Sequence, residues 1–166
     1  MSAGDMRAAV LTVSTSVAAG VNEDRSGELL AELAAAAGAD VVAQGVVSDD
    51  AAKIEAWLRS QVRAGVPLIF TTGGTGFTPD DVTPEATRAV IDRDAPGLAE
   101  AMRAESIRHT PMGMLSRGVC GIAQRTLIVN FPGSPNAVRQ LFGVIEPVLG
   151  HAVATLRRER GQRVEH

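Results

Sequence analysis

Lysine is almost missing from this chain: Lys53 is the only one, and the remaining basic side chains are arginines. A Walker-type phosphate loop closes its glycine run with a lysine, so that class of nucleotide site is excluded. Cysteine is equally scarce. Cys120 stands alone, which rules out an intramolecular disulfide and a cysteine zinc cluster and suits a reducing compartment, here expected to be the cytoplasm. No apolar run reaches the ~18 residues of a membrane span. The amino terminus, MSAGDMRAAVLTVS, carries an acid and too short an apolar run for a signal peptide. Aromatics make up 3% of the residues against 45% hydrophobic, so the core has to be built from Ala, Val, Leu and Ile. An excess of positive charge is lacking too: the formal net charge of −3 argues against nucleic acid or an anionic membrane as partner.

What is present fits one domain over residues 1–166, with a polar tail from about residue 159. A chain of this length buries roughly two thirds of its unfolded surface. Residues 7–13 (RAAVLTV) read as a strand buried on both faces. A loop over 14–22 follows, then a helix from about Ser26 that Gly38 ends in a left-handed conformation. Residues 40–47 form a second strand. Ser48-Asp49-Asp50 offers caps for a helix carrying Ile54, Trp57, Leu58 and Val62, which stops at Gly65. A third strand covers 66–70. Thr83 is expected to cap a helix that Pro84 begins and that runs to about Asp92. Ala95-Pro96-Gly97 breaks it, and a further helix covers 98–106. After a loop at 109–113, runs 115–123 (LSRGVCGIA) and 126–131 (TLIVNF) are β-prone and read as a hairpin. Ser134 caps a last helix started by Pro135, which Pro147 should kink or restart. The alternation predicts an α/β fold, a three-layer α/β/α sandwich with a mostly parallel, mixed central sheet.

In such sheets ligands bind beyond the carboxyl ends of the strands. Four segments sit there: Ser14 and its loop, Ser48-Asp49-Asp50, the turn Thr71-Thr72-Gly73-Gly74-Thr75-Gly76 with Asp80-Asp81, and Pro132-Gly133-Ser134-Pro135. The glycine turn frees the backbone to approach a ligand and can aim amides at phosphate oxygens. It is not a dinucleotide fingerprint, because Pro79 stands where a third glycine belongs. An acid at the end of each of two strands could share one Mg²⁺ together with substrate phosphates. Spacing does not separate Asp49 from Asp50, or Asp81 from Asp80, and each is equally explicable as a helix-terminal acid. Ser116 and Arg117 offer a hydroxyl and a guanidinium suited to an anion; a solvated strand arginine is the plain alternative. Cys120 reads as a small buried hydrophobe.

TTGGTGFTPDDVTPEAT, LSRGVCGIA and TLIVNFPGSPNAV, in that order and spacing, resemble the molybdopterin adenylyltransferases, bacterial relatives of one domain of gephyrin. The resemblance runs from the first strand to about Arg158. It implies an α/β sandwich assembled as a homotrimer, and adenylylation of molybdopterin by Mg-ATP with release of pyrophosphate. It implies molybdopterin and ATP as ligands, Mg²⁺ as the metal, and a molybdenum-insertion protein as a downstream partner. It also selects between the acids: Asp49 and Asp81 match the family's two aspartates, as catalytic and metal-holding residues. Thr72, Gly73, Gly74, Thr75, Gly76, Ser14, Ser116, Arg117, Gly133 and Ser134 become the substrate-binding set. Where many relatives carry a basic residue this chain has Asp80, which makes the turn more negative. A non-catalytic pterin-binding or scaffold protein of the same fold is the alternative.

Overall fold

The computed structural model describes residues 5–162, so expectations that touch 1–4 or the end of the polar tail at 163–166 lie outside the described residues. Strands β1 (Arg7–Val13), β2 (Asp40–Val47), β3 (Leu68–Thr72), β4 (Arg93–Asp94), β5 (Cys120–Ala123) and β6 (Thr126–Phe131) form one six-stranded sheet in the order β2-β1-β3-β6-β5-β4. The β2, β1, β3 and β6 strands run parallel; β5 pairs antiparallel with β6, and β4 antiparallel with β5. The sheet is therefore mixed, as the hairpin required. Helices α1 (Thr15–Ala18), α2 (Arg25–Ala36), α3 (Ala51–Arg63), α4 (Thr83–Val90), α5 (Pro96–His109) and α6 (Pro135–Leu156) complete the chain.

Strand periodicity separates two cores. Ala8 and Val10 of β1, Leu68 and Phe70 of β3, and Leu127, Val129 and Phe131 of β6 face α2, α5 and α6. Their neighbours Ala9, Leu11, Val13, Ile69 and Ile128 face α3 and α4. Because successive side chains alternate across the pleat, a strand buried on both faces is largely apolar, as β1 is from Ala8 to Leu11 and at Val13; its buried Thr12 hydroxyl donates to Asp24. Three of the four phenylalanines gather on the first face, with Phe70 edge-on to Phe131 at 6.0 Å and to Phe142 at 5.8 Å between ring centroids. These are favourable aromatic geometries. Cys120 is buried in the same core, and burial pushes its thiol up to about 12.

Several boundaries differ from the sequence reading, each for a local reason. The loop at 14–22 contains α1, because Ser14 Oγ accepts from the Val17 amide and caps one helical turn. Asp24 is the N-cap of α2, accepting from Gly27 N at 3.0 Å, so that helix starts before Ser26. Thr83 does not cap α4. Val82 occupies the N-cap position with no side-chain bond, while the buried Thr83 hydroxyl donates to Gly73 O at 2.9 Å. Strand β3 begins two residues later than expected and continues to Thr72. Pro96 starts α5 rather than breaking a helix, since proline suits a first helical position. Of 115–123 only Cys120–Ala123 is strand, and Pro111–Leu115 winds as a 3-10 turn. Helix α6 neither ends nor restarts at Pro147.

Candidate functional site

Chain order reverses between β1 and β3, and the loops leaving β1, β2, β3 and β6 meet at that edge. Backbone hydrogen bonds fix the convergence: Ser14 N donates to Val47 O at 2.9 Å and Gly73 N to Phe131 O at 3.0 Å. The Thr72 hydroxyl donates to Pro132 O at 2.8 Å. The glycines of the turn are required. Gly73 and Gly74 have φ of 100° and 68°, and a Cβ on Gly73 would lie 2.3 Å from Val13 O. Thr83 ties the far side, its amide donating to Gly74 O at 3.1 Å.

Below and beside the turn, Asn130 closes a buried polar knot. Its amide nitrogen donates to Thr71 Oγ1 and to Thr87 Oγ1, each at 3.0 Å, while its carbonyl oxygen accepts from Val119 N at 3.1 Å. Every polar atom of that side chain is thereby engaged at low solvent exposure, which makes the arrangement rigid.

The two aspartates flank the turn. Asp49 Oδ2 accepts from the Thr15 amide at 3.0 Å and the Thr15 hydroxyl at 2.9 Å. Its Oδ1 lies 3.4 Å from where a Gly74 Cβ would stand. Asp81 is held in the same manner, with Oδ2 accepting from the amide and hydroxyl of Thr78, both at 2.9 Å. Asp81 Oδ2 also lies 2.9 Å from the position of a Gly76 Cβ. In each carboxylate one oxygen is anchored by two donors and the other carries no hydrogen bond among the described residues. The neighbouring acids behave differently: Asp50 caps α3, accepting from Lys53 N at 3.0 Å, and Asp80 is exposed with no such anchoring.

A cavity opens on each side of the turn. A polar basin of about 580 Å³ is bordered by Ser14, Ser16, Asn22, Thr72, Gly73 and Gly133. The first residues of α2 (Arg25, Ser26) and α6 (Pro135) also reach it. Helix amino termini favour anions through their free N–H groups and dipole. An apolar cleft of about 380 Å³ is lined by Thr75, Gly76, Asp81, Met102, Met112, Leu115 and Leu141, with Ser116 and Arg103 as polar members. Phe77, Met112 and Met114 stand more than 60% exposed on the molecule.

Of the sequence-derived set, Ser14, Thr72, Gly73 and Gly133 border the basin, and Thr75, Gly76, Asp81 and Ser116 line the cleft. Gly74 lies between Thr83 and Asp49. Ser134 caps α6 and lines neither cavity; nor do Asp49, Gly74 and Arg117. Three donors of Arg117 are turned onto the protein, to Gly76 O, Asp81 O and Glu85. The bond from Arg117 holds the Glu85 carboxyl below its usual value. The sequence reading missed Arg103, which lines the cleft, donates to Gly118 O at 2.8 Å and has no carboxylate partner among the described residues. It sits mid-helix on α5, away from any glycine-rich signal. Arg25 and Ser26 were missed as basin residues because the start of α2 was placed late.

Among the described residues, no group of three or more His, Cys, Asp or Glu could hold a metal ion. Asp49 and Asp81 each offer a carboxylate oxygen that takes no hydrogen bond among the described residues, a hard oxygen of the type Mg²⁺ accepts.

Comparison with known proteins gives the family of the chain. Residues 9–151 match the family described as "Probable molybdopterin binding domain". The Drosophila melanogaster molybdenum cofactor synthesis protein cinnamon is 43% identical over 146 residues, covering 87% of this chain and 24% of that protein. The molybdopterin adenylyltransferase of Haemophilus influenzae is 44% identical over 96 residues, 57% of this chain and 49% of the enzyme. The crystal structure of the molybdopterin biosynthesis enzyme MoaB from Thermus thermophilus superposes with a TM-score of 0.85 at 44% identity, covering 91% of this chain and 96% of that one. The chain spans half or less of the curated relatives cited. No helix among the described residues is long and apolar enough to cross a membrane. With residues 9–151 matched by the family model and the fold shared at 44% identity, the chain belongs to the molybdopterin-binding domain family of molybdenum cofactor biosynthesis proteins.

Proposed function

We propose that this protein adenylylates molybdopterin: the terminal phosphate of the pterin attacks the α-phosphorus of ATP, the bond to the β-phosphate oxygen breaks, and pyrophosphate leaves. The observation that carries the reading is the pair Asp49 and Asp81, each anchored through one oxygen on opposite sides of the glycine turn. Nucleotidyl transfer is chiefly positioning and charge stabilisation, and this site offers fixed backbone amides, two oriented carboxylates and no nucleophile. Mg²⁺ held by Asp49 and Asp81 would supply neutralisation of phosphate charge. The polar basin, bordered by Gly73, Arg25 and the start of α6 but also by the Glu23 and Asp24 carboxylates, would take phosphates whose charge a cation offsets. The mainly apolar cleft, with Arg103, Ser116 and Asp81 among its polar members, suits a planar heterocycle. The turn between them sets the two groups side by side.

Relatives named molybdopterin adenylyltransferase support this choice over a non-catalytic binder of the same fold. Incubation of the folded protein with purified molybdopterin and Mg-ATP should give adenylylated pterin and pyrophosphate in equal amounts. Pterin binding with no product would instead assign a scaffold role. The reading extends to a homotrimer working in the cytoplasm beside a molybdenum-insertion protein. Light scattering at micromolar protein checks the assembly, and a monomer mass refutes it.

A further inference from the structure

Arg117 is the one strongly basic group of the site that faces neither cavity. Its backbone amide donates to Thr75 O at 2.8 Å. Its side chain donates through Nε to Gly76 O at 2.8 Å and through Nη2 to Asp81 O at 2.7 Å, while Nη1 bonds Glu85 at the start of α4. One residue thus gathers carbonyls from both ends of the loop that carries Asp81. The Asp81 carboxylate itself lies against Gly76, with Oδ2 2.9 Å from the place of a Gly76 Cβ. Displacement of either Gly76 or Asp81 would therefore move the carboxylate.

We propose that Arg117 is a positioning residue, a planar clip that fixes the Asp81 carboxylate relative to the glycine turn, rather than a contact for an anionic substrate. The inference rests on the adenylyl-transfer reading for its effect on rate, but not for its effect on the loop. Glu85 completes the device by taking the third donor of the guanidinium, and the cation that lines the cleft is Arg103. The geometry needs a fork. A lysine ammonium is a point charge on a flexible stem and does not bridge Gly76 O, Asp81 O and Glu85 together. Misplacement of a catalytic group by about 1 Å costs on the order of 10²-fold in rate.

Arg117→Lys, Arg117→Gln and Glu85→Gln, each checked for a cooperative thermal transition that leaves it folded at the assay temperature, test the clip. Arg117→Lys and Arg117→Gln should lower kcat by roughly 10- to 100-fold. The Kd values for molybdopterin and for Mg-ATP should stay within about threefold of wild type, a shift well under one tenfold step in affinity. Glu85→Gln should shift kcat in the same direction by less. A substrate contact would give the opposite split, with Kd rising in the Arg117 variants and Glu85→Gln neutral; that result overturns the proposal. Amide hydrogen exchange supplies a readout that does not depend on activity. The Asp81 and Thr83 amides, which close the loop onto Thr78 O and Gly74 O, should exchange at least about tenfold faster in all three variants, because local opening sets that rate. Unchanged exchange overturns the clip even if turnover falls. If wild-type protein makes no adenylylated pterin, the catalytic reading fails while exchange still decides the clip.

Discussion

The two cavities beside the glycine turn are built by different means. The basin is made at strand ends: Ser14 follows β1, Thr72 closes β3, Gly133 follows β6, and hydrogen bonds between backbones hold them together. The cleft is made by side chains brought from α5, α6 and the 3-10 turn, with Met102, Met112, Leu115 and Leu141 meeting Thr75 and Gly76 across the chain. A site made of backbone geometry tolerates no Cβ and little movement. A site made of packed side chains can be reshaped one residue at a time. The difference suggests that the basin carries the part of the reaction common to all nucleotidyl transfer, and the cleft carries recognition.

Substitution of the aspartates tests that division most severely. Asp81 lines the cleft and Asp49 lines neither cavity, so the proposed sharing of one Mg²⁺ predicts equivalence where the cavities do not. Asp49→Asn and Asp81→Asn should each lower kcat by about 10²–10³, the loss seen when one fixed electrostatic group is removed from a site of this kind. Pterin affinity measured by fluorescence should change little in either. A large effect of one and none of the other would break the symmetry. Gly73→Ala comes next. Its Cβ would meet Val13 O at 2.3 Å in a backbone conformation that alanine rarely adopts. Urea denaturation should show a loss of about 2–3 kcal/mol, as for an overpacked buried position, and both cavities should fail together.

Ala137→Phe separates the cavities. Ala137 lines the cleft and not the basin, so the larger side chain should weaken a planar-ring ligand about tenfold, roughly 1.4 kcal/mol. Binding of inorganic pyrophosphate, read by calorimetry, should be unaffected. Equal weakening of both would mean that one cavity serves both groups.

The smallest effect concerns pH. The Glu85 carboxyl is held below its ordinary value of 4.5 in the folded protein, first by its bond from Arg117. A depressed folded value means that the pair adds stability above the unfolded value and loses it as pH falls through the folded one. Wild type should therefore melt slightly above Glu85→Gln at neutral pH, and the gap should close below pH 4.5. A gap that persists in acid would show that the Arg117 contact does not depend on the charge of Glu85.

Much of the fold was legible because its signals are local. A strand buried on both faces is mostly apolar, and β1 and β6 are, with the buried exceptions Thr12, Thr126 and Asn130 held by side-chain hydrogen bonds. Ser134 and Pro135 mark the start of α6 without help from any other element. Gly38 and Gly65 both take positive φ at helix ends, as their positions required. What was not legible depends on tertiary partners. Thr83 has the composition of a cap, but its hydroxyl is drawn to Gly73 O, a group that only the folded loop presents. Residues 116–119 have strand-like composition, yet the Val119 amide bonds the Asn130 side chain, not a neighbouring backbone carbonyl. Strand β4 has two residues and no period to read. The site divides in the same way. Its glycines and acids lie in loops with a recognisable order, whereas Arg103 becomes a cleft residue only when α5 packs beside the segment 116–118. Arg117 was legible as a cation of the site, but the direction of its guanidinium was not.

The central claim is that phosphate chemistry takes place over the glycine turn between Asp49 and Asp81. A crystal structure with Mg²⁺ and a non-hydrolysable ATP analogue tests it most directly. The account predicts phosphates seated in the basin against the amides of the turn, with the metal bridging them to Asp49 and Asp81. Phosphates bound away from the turn, with both carboxylates uninvolved, would contradict it.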